Sequence, residues 1–309
     1  MTTESLPRTP AELGLPDAPV EAGPADPAVH HVRAKLDREI RALLAYEPGT
    51  RSGADPEDLH QMRVALRRMR SVLKLSGTLV GDGAEPVRAE LGWLGQSLGE
   101  VRDYDVLIGH LREVIADFEV RDQPAGHRLV ARFITERATA KRRLTSALTS
   151  TRYSTLLREV SLLTRSGAEV PEQPHDLVDG LAKPHRKLTK AVRALPADPP
   201  DDDLHALRIH GKKLRYAAEL AQTSAKKKRA KRIKDLIRAT RDFQTVLGDH
   251  QDAVNAAERM RSVLESADAE VGFVAGRIAE RELARRAEAR ATWRASWVAV
   301  DRAARALHA

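Results

Sequence analysis

Two stretches of this chain, LHQMRVALRRMR (59–70) and LHALRIHGKKLR (204–215), carry the same residue types at the same spacing. His60, Arg63, Arg67, Arg68 and Arg70 fall on His205, Arg208, Lys212, Lys213 and Arg215 at a constant offset of 145 residues. LGEVRD (98–103) then matches LGDHQD (247–252) at an offset of 149, which also carries Arg137 and Lys141 onto Arg286 and Arg290, and Leu144 and Leu148 onto Trp293 and Trp297. An offset that changes once, by a loop-sized step, marks an internal repeat, and a repeat of this length is a supersecondary unit copied whole. The chain is therefore expected to be a duplicated unit.

The period within each copy identifies the unit. After residue 28 the sequence is rich in Ala, Leu, Arg and Glu at a spacing near 3.6, interrupted by short Pro, Gly and Asp clusters. This is an all-α pattern, with helices expected at about 29–45, 56–80, 84–119, 124–149, 152–164, 178–195, 201–224, 228–264 and 269–307. DPED (55–58) and PPDDD (199–203) place Pro and acids in first turns, where they cap free N–H groups and oppose the helix dipole. Residues 1–28 lack an apolar run behind a basic start and are read as a disordered tail, neither secretory signal nor anchor. The helical region at 29–308 then divides into a four-helix unit at 29–150, a short helix and linker at 151–177 (best marked by SGAEVPEQP, 166–174), and a second four-helix unit at 178–308.

The basic residues are oddly placed. At about 100° per residue, His60, Arg63, Arg67, Arg70 and Lys74 share an arc of about 80°, with Leu59, Met62, Leu66, Met69 and Leu73 on the arc beside it. A solvated helix puts its charges opposite the apolar stripe, so a basic stripe at the seam predicts cations looking into a groove. Residues 205–215 repeat the arrangement, with Glu219 at the last position. In the fourth helix of each copy, Arg137 and Lys141 lie within the arc of Ile134, Leu144 and Leu148, and Arg286 and Arg290 between Leu283 and Trp293/Trp297. Cations so placed need carboxylates, a water-filled channel or a bound anion, and a cavity is the economical expectation.

Composition narrows the partner. A net charge of +8 favours polyanions as a class, and arginine suits phosphate because its planar fork donates paired hydrogen bonds. With no cysteine there are no disulfides or thiolate sites, and the cytoplasm is the expected compartment. No run of about 18 apolar residues occurs, so no membrane span is expected. A metal reading of the eleven histidines is disfavoured: His205 and His210 point to different faces, and surrounding cations would repel a divalent ion. His30, His31, His110, His127, His175, His185 and His308 show no pattern. Asp103 and Asp105 point about 160° apart on a helix and cannot readily share an ion, so Asp103 and its counterpart Asp252 are expected to pair with an arginine or histidine. Gly99 and Gly248 mark close helix approach. KKKRAKRIKDLIRATR (226–241) lines up Lys227, Lys231, Lys234, Arg238 and Arg241, either as a solvated face or as a rim gathering a polyanion. Aromatics are 4% of residues, too few for base stacking, and no helix-turn-helix, Gly-rich phosphate loop, nucleophile elbow or HExxH is present. A partner with phosphates and no bases fits best.

The two copies of H-x-x-R-x-x-x-[RK]-[RK]-x-R, with LGEVRDYDV after the first and LGDHQDAV after the second, resemble the CHAD family, an all-helical domain named for its histidines; the likeness spans about residues 29–308. The resemblance implies two four-helix bundles about a pseudo-two-fold axis, with a basic central cavity that binds inorganic polyphosphate, and association with polyphosphate granules. It implies phosphate contacts from His60, Arg63, Arg67, Arg70, His205, Arg208, Lys212 and Arg215, with Arg137, Lys141, Arg286 and Arg290 from the fourth helices; Arg68, Lys74, Lys213, Lys234, Arg238 and Arg241 complete the candidate set. Gln251 stands where the first copy has Arg102, and Gly211 thins the second stripe helix, so the two halves of the site depart from symmetry. The expected function is non-enzymatic polyphosphate binding without cofactor or metal, with a triphosphate-processing enzyme as a partner known for some relatives. The alternative is a nucleic-acid-binding helical protein using the 226–241 stripe; a phosphohydrolase would need metal carboxylates that are not found.

Overall fold

The computed structural model describes residues 9–165 and 176–307. Among them, all regular structure is helical: α1 (Ala28–Ser52), α2 (Pro56–Val80), α3 (Ala84–Ala116), α4 (Gln123–Leu148), α5 (Thr151–Arg165), α6 (Ala182–Arg193), α7 (Asp201–Ser224), α8 (Lys227–Leu264) and α9 (Ala269–Arg305). The expected 178–195 helix is α6 preceded by a 3-10 turn, Asp179–Leu181. The linker at 166–174, with His175 and His308, lies outside the described residues.

Local chemistry sets the ends. The Asp55 carboxylate accepts from the Glu57 N–H at 2.8 Å with Pro56 at the first helical position, which starts α2. Asp268 accepts from Val271 N–H at 2.8 Å and starts α9. α1 runs past its expected end at 45 to Ser52, because Pro48 in the last turns sacrifices a single N–H bond and the stop is deferred to Gly53, left-handed at φ 77°.

The chain forms two compact units. One comprises the residues up to Asp105 with Glu136–Val178; the other comprises Val106–Thr135 with the residues from Asp179 onward. The division falls inside α3 and α4, not at the 151–177 linker. In the first unit α1 packs on α2 and α5, around a core of Leu36, Ile40, Met62, Leu66, Met69, Leu94, Leu98 and Leu144, all at most 2% exposed. In the second unit α8 lies between α7 and α9, around Leu207, Leu214, Ile233, Leu236, Phe243 and Trp293. Each such side chain contributes about 1.5–3 kcal/mol on burial.

Residues 9–27, expected to be disordered, are docked on the first unit. Leu13 and Leu15 are buried, Ser161 Oγ donates to Leu13 O at 2.8 Å, and Gly14 turns the chain at φ 67°. Arg41 of α1 donates to Pro16 O at 2.6 Å, and Asp37 accepts from Val20 N–H at 3.0 Å. The Pro and Ala content masked two apolar anchors and the side chains of α1 that satisfy this backbone.

Candidate functional site

In the first unit, α2 sets its basic stripe at the edge of the core. Leu59, Met62, Leu66, Met69 and Leu73 are buried, His60, Arg63, Arg67 and Arg70 are half-buried, and Lys74 is exposed. Three glycines of α3 make room for this stripe. A Cβ at Gly92 would stand 3.3 Å from Arg70 Nη2, one at Gly95 3.0 Å from Leu66 Cδ2, and one at Gly99 3.8 Å from Arg63 Cζ. Arg63 donates to Asp103 at 3.0 Å, which is the carboxylate–arginine pairing expected of Asp103.

His60 sits amid this charge. Burial lowers its pKa, and Arg102, Arg67 and Arg63 lower it further against the pull of Glu57, so the imidazole is held neutral below its ordinary range. Burial likewise lowers the pKa of Arg70, with Arg88 nearby adding to the effect, and its Nε is buried without a hydrogen-bond partner. Arg102 of α3 is thus a third cation at the His60 end, beside Arg63 and Arg67, and it was not among the expected site residues.

Arg68 points elsewhere. Its guanidinium lies 3.7 Å from Glu39 of α1, a buried carboxylate that also takes Lys35 at 2.8 Å. On the equivalent side of α7, Lys213 lies near His210, whose pKa is lowered by burial, then by Lys213 and by Lys187 of α6. The structure therefore separates Arg68 and Lys213 from the two stripes.

The second unit repeats the stripe geometry on α7 and α8. Arg208 crosses Gly248, where a Cβ would stand 3.5 Å from its Nη2, and a Cβ at Gly211 would stand 3.1 Å from Phe243. His205 Nδ1 donates to Gln251 Oε1 at 2.6 Å, and Gln251 donates on to Asn255 at 2.9 Å. Where His60 faces Arg102, His205 is thus anchored to an amide chain. Arg215 lies 3.5 Å from Glu219 and over the Tyr216 ring at 4.9 Å. Lys212 is half-buried.

The fourth-helix cations find partners within their own units. Arg137 pairs with Asp105, and Lys141 donates to Thr50 O. Burial lowers the Lys141 pKa, with Arg137 adding to the effect and Asp105 opposing it. Arg286 Nε and Nη2 bind Asp201 at 2.9 and 2.8 Å, and Arg290 Nη1 binds it at 2.8 Å while Nη2 reaches Asp198 and Pro199 O. His250 Nε2 lies 3.0 Å from the same Asp201 carboxylate. Of the ways to satisfy such cations, the structure uses carboxylates for the three arginines and a backbone carbonyl for Lys141. Ile134, one of the residues that defined their arc, is 42% exposed, and Trp297 is half-buried, so the pairs sit at the edge of the core.

Asp201 was expected to cap α7. Its carboxylate instead reaches across to α8 and α9, because two guanidiniums and an imidazole offer more donors than the helix end. Burial would raise its pKa, but the hydrogen bonds and charge of Arg286, with His250, bring it below the usual carboxylate value. On α8, Lys234, Arg238 and Arg241 are exposed, as either reading of this stripe requires, and Arg238 pairs with Asp235 at 2.9 Å.

Among the described residues, no three His, Asp or Glu side chains are grouped as a metal site, and no helix is long and apolar enough to cross a membrane. His110, read as patternless, lies 2.5 Å from the fully buried Glu282. His185 contacts Asp301 at 3.0 Å and stacks on Trp297.

Comparison with known proteins gives a consistent result. A CHAD domain family model matches residues 34–261. Uncharacterized proteins from two strains of Mycobacterium tuberculosis are each 29% identical over 281 residues, covering 87% of this chain and 51% of theirs, so the chain spans about half the length of these relatives. The crystal structure of the CHAD domain from the plant Ricinus communis superposes with a TM-score of 0.75 at 24% identity, covering 92% of this chain and 94% of that one. PptA from Streptomyces chartreusis superposes at 0.68 with 20% identity, covering 88% and 99%. A match across most of the helical region, with the same fold, settles the kinship: the chain belongs to the CHAD domain family.

Proposed function

We propose that this chain binds inorganic polyphosphate through the basic stripes of α2 and α7, without catalysing its turnover. The observation that carries the reading is the group of His60, Arg63, Arg67 and Arg102 at the α2–α3 seam, with the half-buried Arg70 further along. Like charges so close repel one another, and a chain of phosphates relieves that repulsion while accepting the paired hydrogen bonds that guanidinium offers. The association of CHAD domains with polyphosphate supports the same ligand. His205, Arg208, Lys212 and Arg215 supply the corresponding contacts on α7, Lys74 extends the α2 stripe, and the exposed α8 lysines and arginines gather polyanions from solution. Polyphosphate granules in the cytoplasm are the proposed location and a triphosphate-processing enzyme the proposed partner.

Competition tests the ligand class. Long-chain polyphosphate should displace a fluorescent single-stranded oligonucleotide from the protein at equal phosphate concentration, whereas the oligonucleotide should not displace labelled polyphosphate. The reverse order would favour nucleic acid on the α8 face. Steady release of orthophosphate with magnesium present would overturn the non-enzymatic reading.

A further inference from the structure

α6 carries a cluster of charge that belongs to neither stripe. Lys183, Arg186, Lys187, Lys190 and Arg193 are all exposed, and the helix holds no acidic residue. At about 100° per residue the five share an arc of about 120°, and at about 1.5 Å per residue their row is about 15 Å long. Among the described residues none of the five meets a hydrogen-bond acceptor or a carboxylate, whereas Arg277, Arg281, Arg286 and Arg305 of α9, in the same unit, each hold one. The row also works against its own helix. Lys183 and Arg186 stand near the positive N-terminal end, like charges recur at spacings of three and four, and Leu181 at the N-cap offers no side-chain hydrogen bond. Only the burial of Leu188 and Val192 ties the helix to its unit. α6 packs on α7, where burial, then Lys213 and Lys187, lower the pKa of His210. Lys213, separated from the stripes, thus joins the α6 face.

A row of charge that weakens its own helix and has no acceptor within the unit is suited to an external one. We infer that the α6 face is a contact for the phosphate backbone of double-stranded nucleic acid, held by charge and without regard to base sequence. A duplex carries about one negative charge per 1.7 Å of its axis, so it supplies partners for every cation in a row about 15 Å long. Backbone contacts of this kind need neither a recognition helix nor base-stacking aromatics. Shape separates this ligand from the thin chain proposed for the stripes: the α6 row is convex and open to solvent, whereas the α2 and α7 stripes are half-buried at helix seams. An anionic bilayer fits less well. α6 turns Leu188 and Val192 inward and keeps no large apolar side chain for insertion, and the exposed Asp179 and Asp198 flank the row at its two ends. The inference stands beside the polyphosphate reading and does not rest on it.

The test follows the fluorescence anisotropy of a labelled duplex DNA of mixed sequence, titrated with the native chain and with Arg186→Gln/Lys187→Gln/Lys190→Gln. At about 50 mM salt the variant should bind at least about tenfold more weakly, and the slope of log affinity against log salt should fall by about two to three. The three side chains have no partners to lose, so helicity should be kept and the melting temperature unchanged or raised. Lys231→Gln/Lys234→Gln/Arg241→Gln on α8 removes the same net charge and should weaken duplex binding less than about threefold. An equal loss there would reduce the effect to net charge and overturn the contact. Native-like affinity in the α6 variant, or no duplex binding by the native chain, would overturn it as well. Loss of binding to phosphatidylserine vesicles with duplex affinity intact would reassign the face to lipid and refute the proposal. Should the triple variant lose helicity, Lys187→Gln alone decides: binding about threefold weaker is expected, and unaltered affinity would contradict the contact.

Discussion

Arg208 lies across Gly248, its Nη2 3.5 Å from where a Cβ on that glycine would stand, and Arg63 lies across Gly99 in the same manner at 3.8 Å. The glycine is what lets the guanidinium settle, half-buried, against the neighbouring helix. An alanine fits at ordinary contact distance and gains up to about 1 kcal/mol of helix propensity. Gly248→Ala should therefore raise the melting temperature and leave polyphosphate affinity intact, whereas Gly248→Leu should push Arg208 aside and weaken binding severalfold with helicity preserved. Equal affinity in the leucine variant would show that the guanidinium position is irrelevant.

Packing at Gly126 is less forgiving. A Cβ there would stand 2.7 Å from Ile115 Cγ2 and 2.9 Å from its Cγ1, where α4 crosses α3 within the second unit. Gly126→Ala should destabilise by about 1–3 kcal/mol despite its better propensity. Adding Ile115→Ala should recover part of that loss in a denaturant-unfolding cycle; strictly additive losses would contradict the clash.

Glu282 is fully buried between His110 at 2.5 Å and Arg285 at 2.7 Å. Both partners reach water, so they are not stranded when the carboxylate is lost, and Glu282→Ala should cost about 1–3 kcal/mol, less than the rupture of a wholly interior pair. Chemical denaturation measures this directly, and a neutral result would show that the triad contributes no net stability.

Burial is the leading cause that lowers the pKa of His31, His60, His210 and His250. Folded imidazoles then hold protons more weakly than unfolded ones, so acidification through about pH 6.5 loads the unfolded chain first and stability falls as pH drops. The melting temperature should be lower at pH 5.5 than at pH 7.5, and His60→Gln should flatten that slope; a rise on acidification would contradict the assignment. Phosphate beside His60 restores its affinity for a proton, so polyphosphate binding near pH 6 should take up protons, visible as a dependence of binding heat on the buffer's ionisation enthalpy.

Much of this architecture was legible in the residues. The 3.6 period located all nine described α-helices because Pro, Gly and Asp punctuation coincides with their ends, as at Asp55–Pro56 and Asp268. The seam position of His60, Arg63, Arg67 and Arg70 followed from angle alone, since helix geometry fixes which side chains flank a buried stripe. Partners on other helices were not legible: that Arg68 turns to Glu39, or that Asp201 abandons the cap for Arg286, depends on packing between distant segments. A signal for the latter was nevertheless present, as the repeat loses a carboxylate at Val254 and gains one at Asp201. The docking of residues 9–27 was hidden for a different reason, because two leucines in a Pro-rich stretch carry no periodicity.

The stripe assignment is tested most directly by titrating size-defined polyphosphate into the native chain and the Arg67→Glu/Lys212→Glu variant at about 50 and 200 mM salt. If four phosphates are neutralised, native affinity should fall on the order of fiftyfold across that range. The variant should bind at least tenfold more weakly at low salt with a shallower salt dependence, at unchanged helicity. Native-like affinity and salt dependence in the variant would contradict the account.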